Sequence, residues 1–231
     1  MTEAAIFLPL AEAYDRWARV YDLQDNPMVF GASRIVERLA KTVRGQAVVE
    51  LGCGTGRHLV LLKQNGADPL VGCDLSAGML AQARARDLSL VLFQQDMAQP
   101  LPLADFSADL VLFSLVLEHM ADMTGPLREA GRLLRPGGRI VVIEIHPFLS
   151  LSNVAAHFRD GGTIVEMPTF AHPFSDHLNA AAAAGLRIAQ AREWHPRDFD
   201  GPVPDKLFKR GPDCPLLVEF ELRPMTSDRQ P

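Results

Sequence analysis

The chain has 231 residues, 48% of them apolar, which is enough for one substantial core and favours one domain over two. Its 23 basic and 28 acidic residues leave a formal charge of −5, and no helix or arm gathers the Lys and Arg that a phosphate backbone demands, so nucleic acid is not an expected partner. Residues 1–10 carry an acid where a secretory signal needs bases and are broken by Pro9, and the longest apolar run, 108–117, contains Asp109 and Ser114; a cytoplasmic chain without a membrane partner is expected.

The first 44 residues show two helical stretches, 9–22 and 27–43, expected to form a cap over the core. Short runs rich in Val, Ile and Leu then recur at 47–51, 70–74, 88–93, 108–113 and 139–145. Such near-continuous apolar runs suit strands buried on both faces of a parallel sheet. Helical patterns separate them: 57–65 closing at Gly66, 76–86 with Ser76 as N-cap, and 123–134 stopped by Pro136, Gly137 and Gly138. This alternation predicts an α/β fold with a doubly wound, mostly parallel sheet. The segment 147–173 has a turn at Gly161 and Gly162 and no further assigned structure, and is expected to form a lid over the substrate. An alanine-rich helix capped by Ser175 and ended by Gly185 comes next, then strand-like runs at 186–194 and 215–223. With no helix between them, the two must pair antiparallel, so the sheet is predicted to have seven strands with an antiparallel last strand. The expected divisions of the single domain 1–231 are a cap at 1–44, a core at 45–146, a lid at 147–173 and a carboxy-terminal helix and strands at 174–231. Cys53, Cys73 and Cys214 are too few and too scattered for a disulfide framework or a zinc site, and no metal is expected.

The central signal is the first core strand running into Gly52-Cys53-Gly54-Thr55-Gly56. Glycine lets the backbone turn tightly and a ligand approach it. A dinucleotide fingerprint places its third glycine three positions after the second; here Gly56 follows Gly54 by two, so the ligand need not carry a pyrophosphate. Asp74 ends the second strand, 22 positions after Gly52, where a carboxylate can accept hydrogen bonds from both hydroxyls of a ribose. Asp96 and Met97 follow the third strand, within reach of an adenine edge, with Leu75 and Met97 packing on the ring faces. Three strand ends thus converge on an adenosine-like ligand.

With Glu50 before the loop, the 106–120 stretch ending in Glu118-His119-Met120, and Leu134-Arg135-Pro136-Gly137-Gly138, the chain resembles the class I S-adenosylmethionine-dependent methyltransferases, in the branch of small quinone and natural-product enzymes. The resemblance spans about residues 14–220. It implies S-adenosylmethionine as cofactor and S-adenosylhomocysteine as product. It further implies that the loop faces the methionine portion, that Glu50 orients its ammonium group, and that Asp74 and Asp96 hold ribose and adenine. Phe113 and Ser114, at the end of the fourth strand, are expected at the cofactor, as is Tyr21. Tyr14, Trp17 and Tyr21 resemble the aromatic helix that covers the cofactor in such enzymes, with Tyr14, Trp17 and His172 expected to reach the acceptor; aromatics seven apart on a helix also simply pack.

Methyl transfer is an in-line displacement, and a base is useful where the acceptor must lose a proton. His146 follows the fifth strand, at the sheet edge where open α/β sheets bind ligands, and is the first candidate; it could equally fix the turn before Pro147. His119 is the second, with packing near the cofactor as its other reading. A small-molecule acceptor, apolar or aromatic, and a monomer or homodimer are expected. The rival functions are a nicotinamide-dependent oxidoreductase and a cofactor-binding scaffold that transfers nothing.

Overall fold

The computed structural model describes residues 5–225. Residues 1–4 of the amino-terminal stretch and 226–231 of the last predicted division lie outside them.

A seven-stranded sheet forms the centre. Its strands are β2 (Val48–Leu51), β3 (Leu70–Asp74), β4 (Val91–Gln94), β5 (Ala108–Ser114), β6 (Leu134–Ile145), β9 (Leu186–Trp194) and β10 (Leu217–Pro224). Their spatial order is β4-β3-β2-β5-β6-β10-β9. The first five run parallel, whereas β10 pairs antiparallel with both β6 and β9. Helices α2 (Pro27–Ala40), α3 (Arg57–Gln64) and α4 (Ala77–Arg86) cover one face; α5 (Thr124–Leu133) and α7 (Phe174–Ala183) cover the other. Strand β5 shows why an unbroken apolar run suits this position: Leu110 and Leu112 enter the core under α2 and α3, and Val111 and Phe113 the core under α5 and α7.

One local expectation holds to the residue. Ser76 accepts from the Met79 amide at 3.0 Å and caps α4. Asn26 caps α2 by accepting from Met28 and Val29, with Pro27 in the first turn. Others need correction. The run 88–93 begins its strand only at Val91, because Asp87 turns the chain by accepting from the Ser89 amide at 2.9 Å and leaves Leu88 89% exposed. Ser175 does not cap α7: it lies inside the helix, Pro173 occupies the cap position, and no side chain bonds the free amides there.

The segment after β6 is more ordered than its sequence suggests. It contains a short helix, α6 (Pro147–Ser150), and a hairpin of β7 (His157–Asp160) and β8 (Thr163–Glu166) turned by Gly161 and Gly162 at φ 55° and 90°. Both central residues at positive φ match the twist of a tight hairpin. An unpredicted strand, β1 (Ala5–Phe7), pairs in parallel with β8, making a second, three-stranded sheet. Against it lies α1 (Leu10–Trp17), whose Trp17 stacks on Phe158 at 5.0 Å and 9°. Ala13, Trp17, Met79, Phe158, Val165 and Met167 form a third, smaller core joining cap, hairpin and α4. A polar latch closes it: Asp15 accepts from the Ser76 hydroxyl at 2.6 Å and the Gly78 amide at 2.8 Å.

Candidate active site

The order β4-β3-β2-β5 places the reversal of strand order between β2 and β5, and ligands of open α/β sheets bind at the carboxyl ends of strands at such a point. The glycine loop leaves β2 there. Gly52 and Gly56 take φ 76° and 71°, and a Cβ on either would strike a neighbour, Val116 at 2.4 Å or Ala83 at 2.9 Å. Gly54 differs: it too is left-handed, at φ 53°, but a Cβ there would meet no heavy atom within 4 Å. Its missing side chain leaves open the space above the loop.

Asp74 closes the loop from the next strand. One carboxyl oxygen accepts from the Gly54 amide and the other from the Ser76 amide, both at 2.8 Å. Burial pushes its pKa up to about 6 although both amides favour the charged form. The main cleft is lined by Asp74, Asp96, Leu75, Met97, Gly52 and Gly54, with Tyr14, Tyr21, Ser114 and His119 on its other side. Asp96 is exposed and bent over its own chain, accepting from the Ala98 amide at 2.9 Å. Glu50 lies one step deeper: it faces a smaller pocket that shares Tyr21, Gly52, Gly54, Ser114 and Leu115 with the main cleft and also includes Cys53 and Thr55. Only 1% exposed, Glu50 accepts at one oxygen from His58 at 2.9 Å, and its Oε2 has no partner among the described residues. A buried carboxylate oxygen without a partner beside an open glycine is a ready receptor for a cationic donor.

The cap completes the enclosure. Asp22 accepts from Thr55 at 3.1 Å and pairs with Arg57 and Arg86, tying the cap to the glycine loop. Burial opposes ionisation of Asp22, but the Arg57 hydrogen bond and the two guanidinium charges hold its pKa below the usual value. Tyr14, Tyr21 and Leu115 also line a second cavity of about 480 Å³, with Trp17, Met28, Phe158 and Glu118 further out. Leu115 is at φ 54°, in the left-handed region that costs a branched residue about 1 kcal/mol or more, and it forms part of the wall between the two spaces.

Three predicted site residues sit differently from expectation. Phe113 is fully buried in the core under α5 and does not reach the cleft. His172 donates from Nε2 to the Met120 carbonyl at 2.9 Å, its Nδ1 stands 3.5 Å from Asp176, and it lines neither cavity. Trp17, by contrast, lines the second cavity and not the cleft over the glycine loop. His146 caps α6, its Nδ1 accepting from the Phe148 amide at 3.1 Å while its Nε2 faces Glu193 at 3.1 Å. Its ring is turned toward the β9 edge, because Pro147 forces a helix start immediately after β6 and the imidazole satisfies that start. His146→Ala is therefore expected to cost about 1 kcal/mol of stability, as loss of a cap does, with cofactor affinity unchanged. Urea unfolding and calorimetry with S-adenosylhomocysteine measure the two effects separately.

His119 does lie on the cleft. Its Nδ1 must donate to the Pro168 carbonyl at 2.7 Å, since a carbonyl only accepts, so Nε2 accepts the Tyr14 hydroxyl at 2.7 Å. Both nitrogens are thereby engaged, and burial lowers the pKa, keeping the ring neutral. Sequence reading passed over Glu118 and Glu144. Glu144, on β6, accepts from the Val116 and Leu117 amides at 3.0 and 2.8 Å and so shapes the turn carrying Leu115 and Glu118. An acidic residue inside the apolar run 139–145 was the one available signal of it.

A doubly wound sheet ending in an antiparallel strand, with an open glycine loop and two acids on the adjoining strand tips, defines a protein that binds an adenosyl ligand at its switch point. Residues 49–142 match a family described as methyltransferase domain. The chain is 36% identical over 139 residues to the demethylmenaquinone methyltransferase of Beutenbergia cavernae, covering 58% of this chain and 57% of that protein. It is 32% identical over 198 residues to the ubiquinone/menaquinone biosynthesis C-methyltransferase of Rubrivivax gelatinosus, covering 78% of each. A solved S-adenosylmethionine-dependent methyltransferase from Mesorhizobium loti superposes with a TM-score of 0.65 at 24% identity, over 83% of this chain and 97% of that one. The chain belongs to the class I S-adenosylmethionine-dependent methyltransferases. Its match spans 57% to 59% of the length of several of the curated relatives. No support emerges for the nicotinamide alternative. Among the described residues, no helix is long and apolar enough to cross a membrane.

Proposed function

We propose that this protein transfers the methyl group of S-adenosylmethionine to a small aromatic acceptor of the quinol type. The observation that carries the reading is the junction of two spaces: the cleft over the glycine loop and the aromatic-lined cavity beside it share Tyr14, Tyr21 and Leu115 as a common wall. The cofactor supplies a methyl group activated by the positive charge of its sulfonium. The residues present fit it. Asp74 would accept from the ribose hydroxyls, Asp96 and Met97 would meet the adenine, and Glu50, through its unpartnered Oε2, would hold the ammonium. Thr55, Cys53 and Ser114 would complete the methionine end.

The acceptor would lie between Trp17, Phe158, Met28 and Leu115, a surface that favours a flat apolar ring. Alignment of ring and methyl group alone can supply on the order of 7–11 kcal/mol of the barrier. Segment 147–173, whose hairpin carries Phe158, is then the acceptor lid of a single domain. Two relatives named for quinone methylation agree with a quinol acceptor. The test follows label from methyl-labelled S-adenosylmethionine into reduced 1,4-naphthoquinone. Incorporation that needs intact Asp74 is the expected result; cofactor binding without any transfer to a panel of quinols and phenols would favour the non-catalytic scaffold.

A further inference from the structure

Of the polar side chains on the second cavity, Glu118 is the least accounted for. Its side chain is 11% exposed, and among the described residues no hydrogen bond reaches either carboxyl oxygen. Nε2 of His119 stands 4.0 Å from Glu118 Oε1 and is already engaged by Tyr14. A carboxylate on the wall of a cavity, without a protein partner, is open to a donor bound there.

The surroundings narrow what the partner is. Tyr14 and Tyr21, from the cap, both hold their protons: burial raises Tyr14 well above its ordinary pKa and Tyr21 to about 12. His119 has no free lone pair. Glu144, from β6, lies close enough to repel Glu118 but is bonded to the backbone of the turn. At the cavity mouth Lys206 pairs with Asp25 at 3.3 Å, and His157 and Arg159 stand on the hairpin rim. Among the described residues, no Lys or Arg is paired with Glu118 itself. Burial first, and the Glu144 charge second, push Glu118 up to about 8, which is where a proton acceptor serves best near neutral pH.

We propose that the Glu118 carboxylate receives the hydroxyl proton of a phenol- or quinol-type acceptor bound in the cavity walled by Trp17, Phe158 and Leu115. In this step the acceptor O–H bond breaks and a Glu118 Oε–H bond forms. The electron pair stays on the acceptor oxygen, and one negative charge passes from the carboxylate to the ring system that is to be methylated. This inference rests on the methyl-transfer reading above.

The test begins without turnover. 1-Naphthol is titrated calorimetrically, at pH 7, into the protein saturated with S-adenosylhomocysteine, in two buffers of different ionisation heat. A hydroxyl that donates to Glu118 requires the ionised carboxylate, so binding should release a fraction of a proton from the wild type and none from Glu118→Gln. Glu118→Asp, which keeps a carboxyl, should restore part of the release; thermal melts establish that each variant is folded. Equal proton counts for wild type and Glu118→Gln, or failure of the wild type to bind 1-naphthol, would overturn the assignment. With reduced 1,4-naphthoquinone as acceptor, kcat/KM of the wild type should rise with pH and level off above about 8, whereas Glu118→Gln should lose roughly 100-fold in kcat and the rise itself, with cofactor affinity unchanged. A wild type that binds 1-naphthol with proton release yet transfers no methyl group would instead defeat the functional reading and leave the proton acceptor standing.

Discussion

Replacement of Asp74 by alanine is expected to remove measurable binding of S-adenosylhomocysteine in calorimetry while leaving the sheet folded. A ribose would offer two hydroxyls to this carboxylate, and a hydrogen bond to a charged group is worth about 1.5–3 kcal/mol, so losing both weakens binding by roughly 10²- to 10⁴-fold. The side chain also holds its own loop through the Gly54 and Ser76 amides, which adds a loss of preorganisation. Acid should mimic the variant in part. The pKa of Asp74 in the free protein is raised to about 6, and the ionised form is the one that accepts from both hydroxyls. Affinity should therefore be full above that pH and decline as pH falls through it, approaching tenfold per pH unit once the group is protonated. Equal affinity at pH 8 and pH 5 would remove Asp74 from the ribose contact.

The second large effect separates two glycines that look alike in sequence. Gly52→Ala forces a side chain into the left-handed region, at a cost of about 1–2 kcal/mol, and drives its Cβ to 2.4 Å from Val116. The expected outcome is a protein that unfolds at markedly lower temperature, because Val116 sits on a turn fixed by Glu144 and cannot retreat. Gly54→Ala carries the same backbone strain but meets no atom within 4 Å. Its melting temperature should fall only slightly, whereas affinity for S-adenosylhomocysteine should drop by at least about tenfold, since the added methyl group occupies ligand space. Paired thermal melts and calorimetry read the contrast; a Gly54→Ala protein with wild-type affinity would place the ligand elsewhere.

Much of the cofactor side was legible in the chain itself. Local rules suffice where a strand end, a turn and an acid follow one another within a few residues, as in Glu50 to Gly56 and at Asp74, because spacing along a buried strand fixes which end a side chain reaches. The seven strands and the antiparallel pairing of β9 with β10 also followed from length, apolar content and the missing helix between them.

The acceptor side was not legible, and the reason is physical. His146 and His119 have similar credentials in sequence, each a histidine after a strand in the expected place. Only the fold shows that Pro147 commits the first to capping a helix, while Tyr14, 105 residues away, occupies the second. Phe113 and Ser114 are neighbours, but a strand turns successive side chains to opposite faces, so one fell into the core and the other onto the cleft. The second cavity exists because the cap, the hairpin and the turn after β5 meet there, and none of those contacts is local. Sequence determined the sheet, the glycine loop and the acids at its strand tips, through patterns that act over a few residues. Tertiary structure decided which histidine is spent on architecture and that Glu118 stands half-buried, with no hydrogen-bond partner among the described residues, at the wall of a second chamber, because burial and partnership arise only when distant segments close on one another.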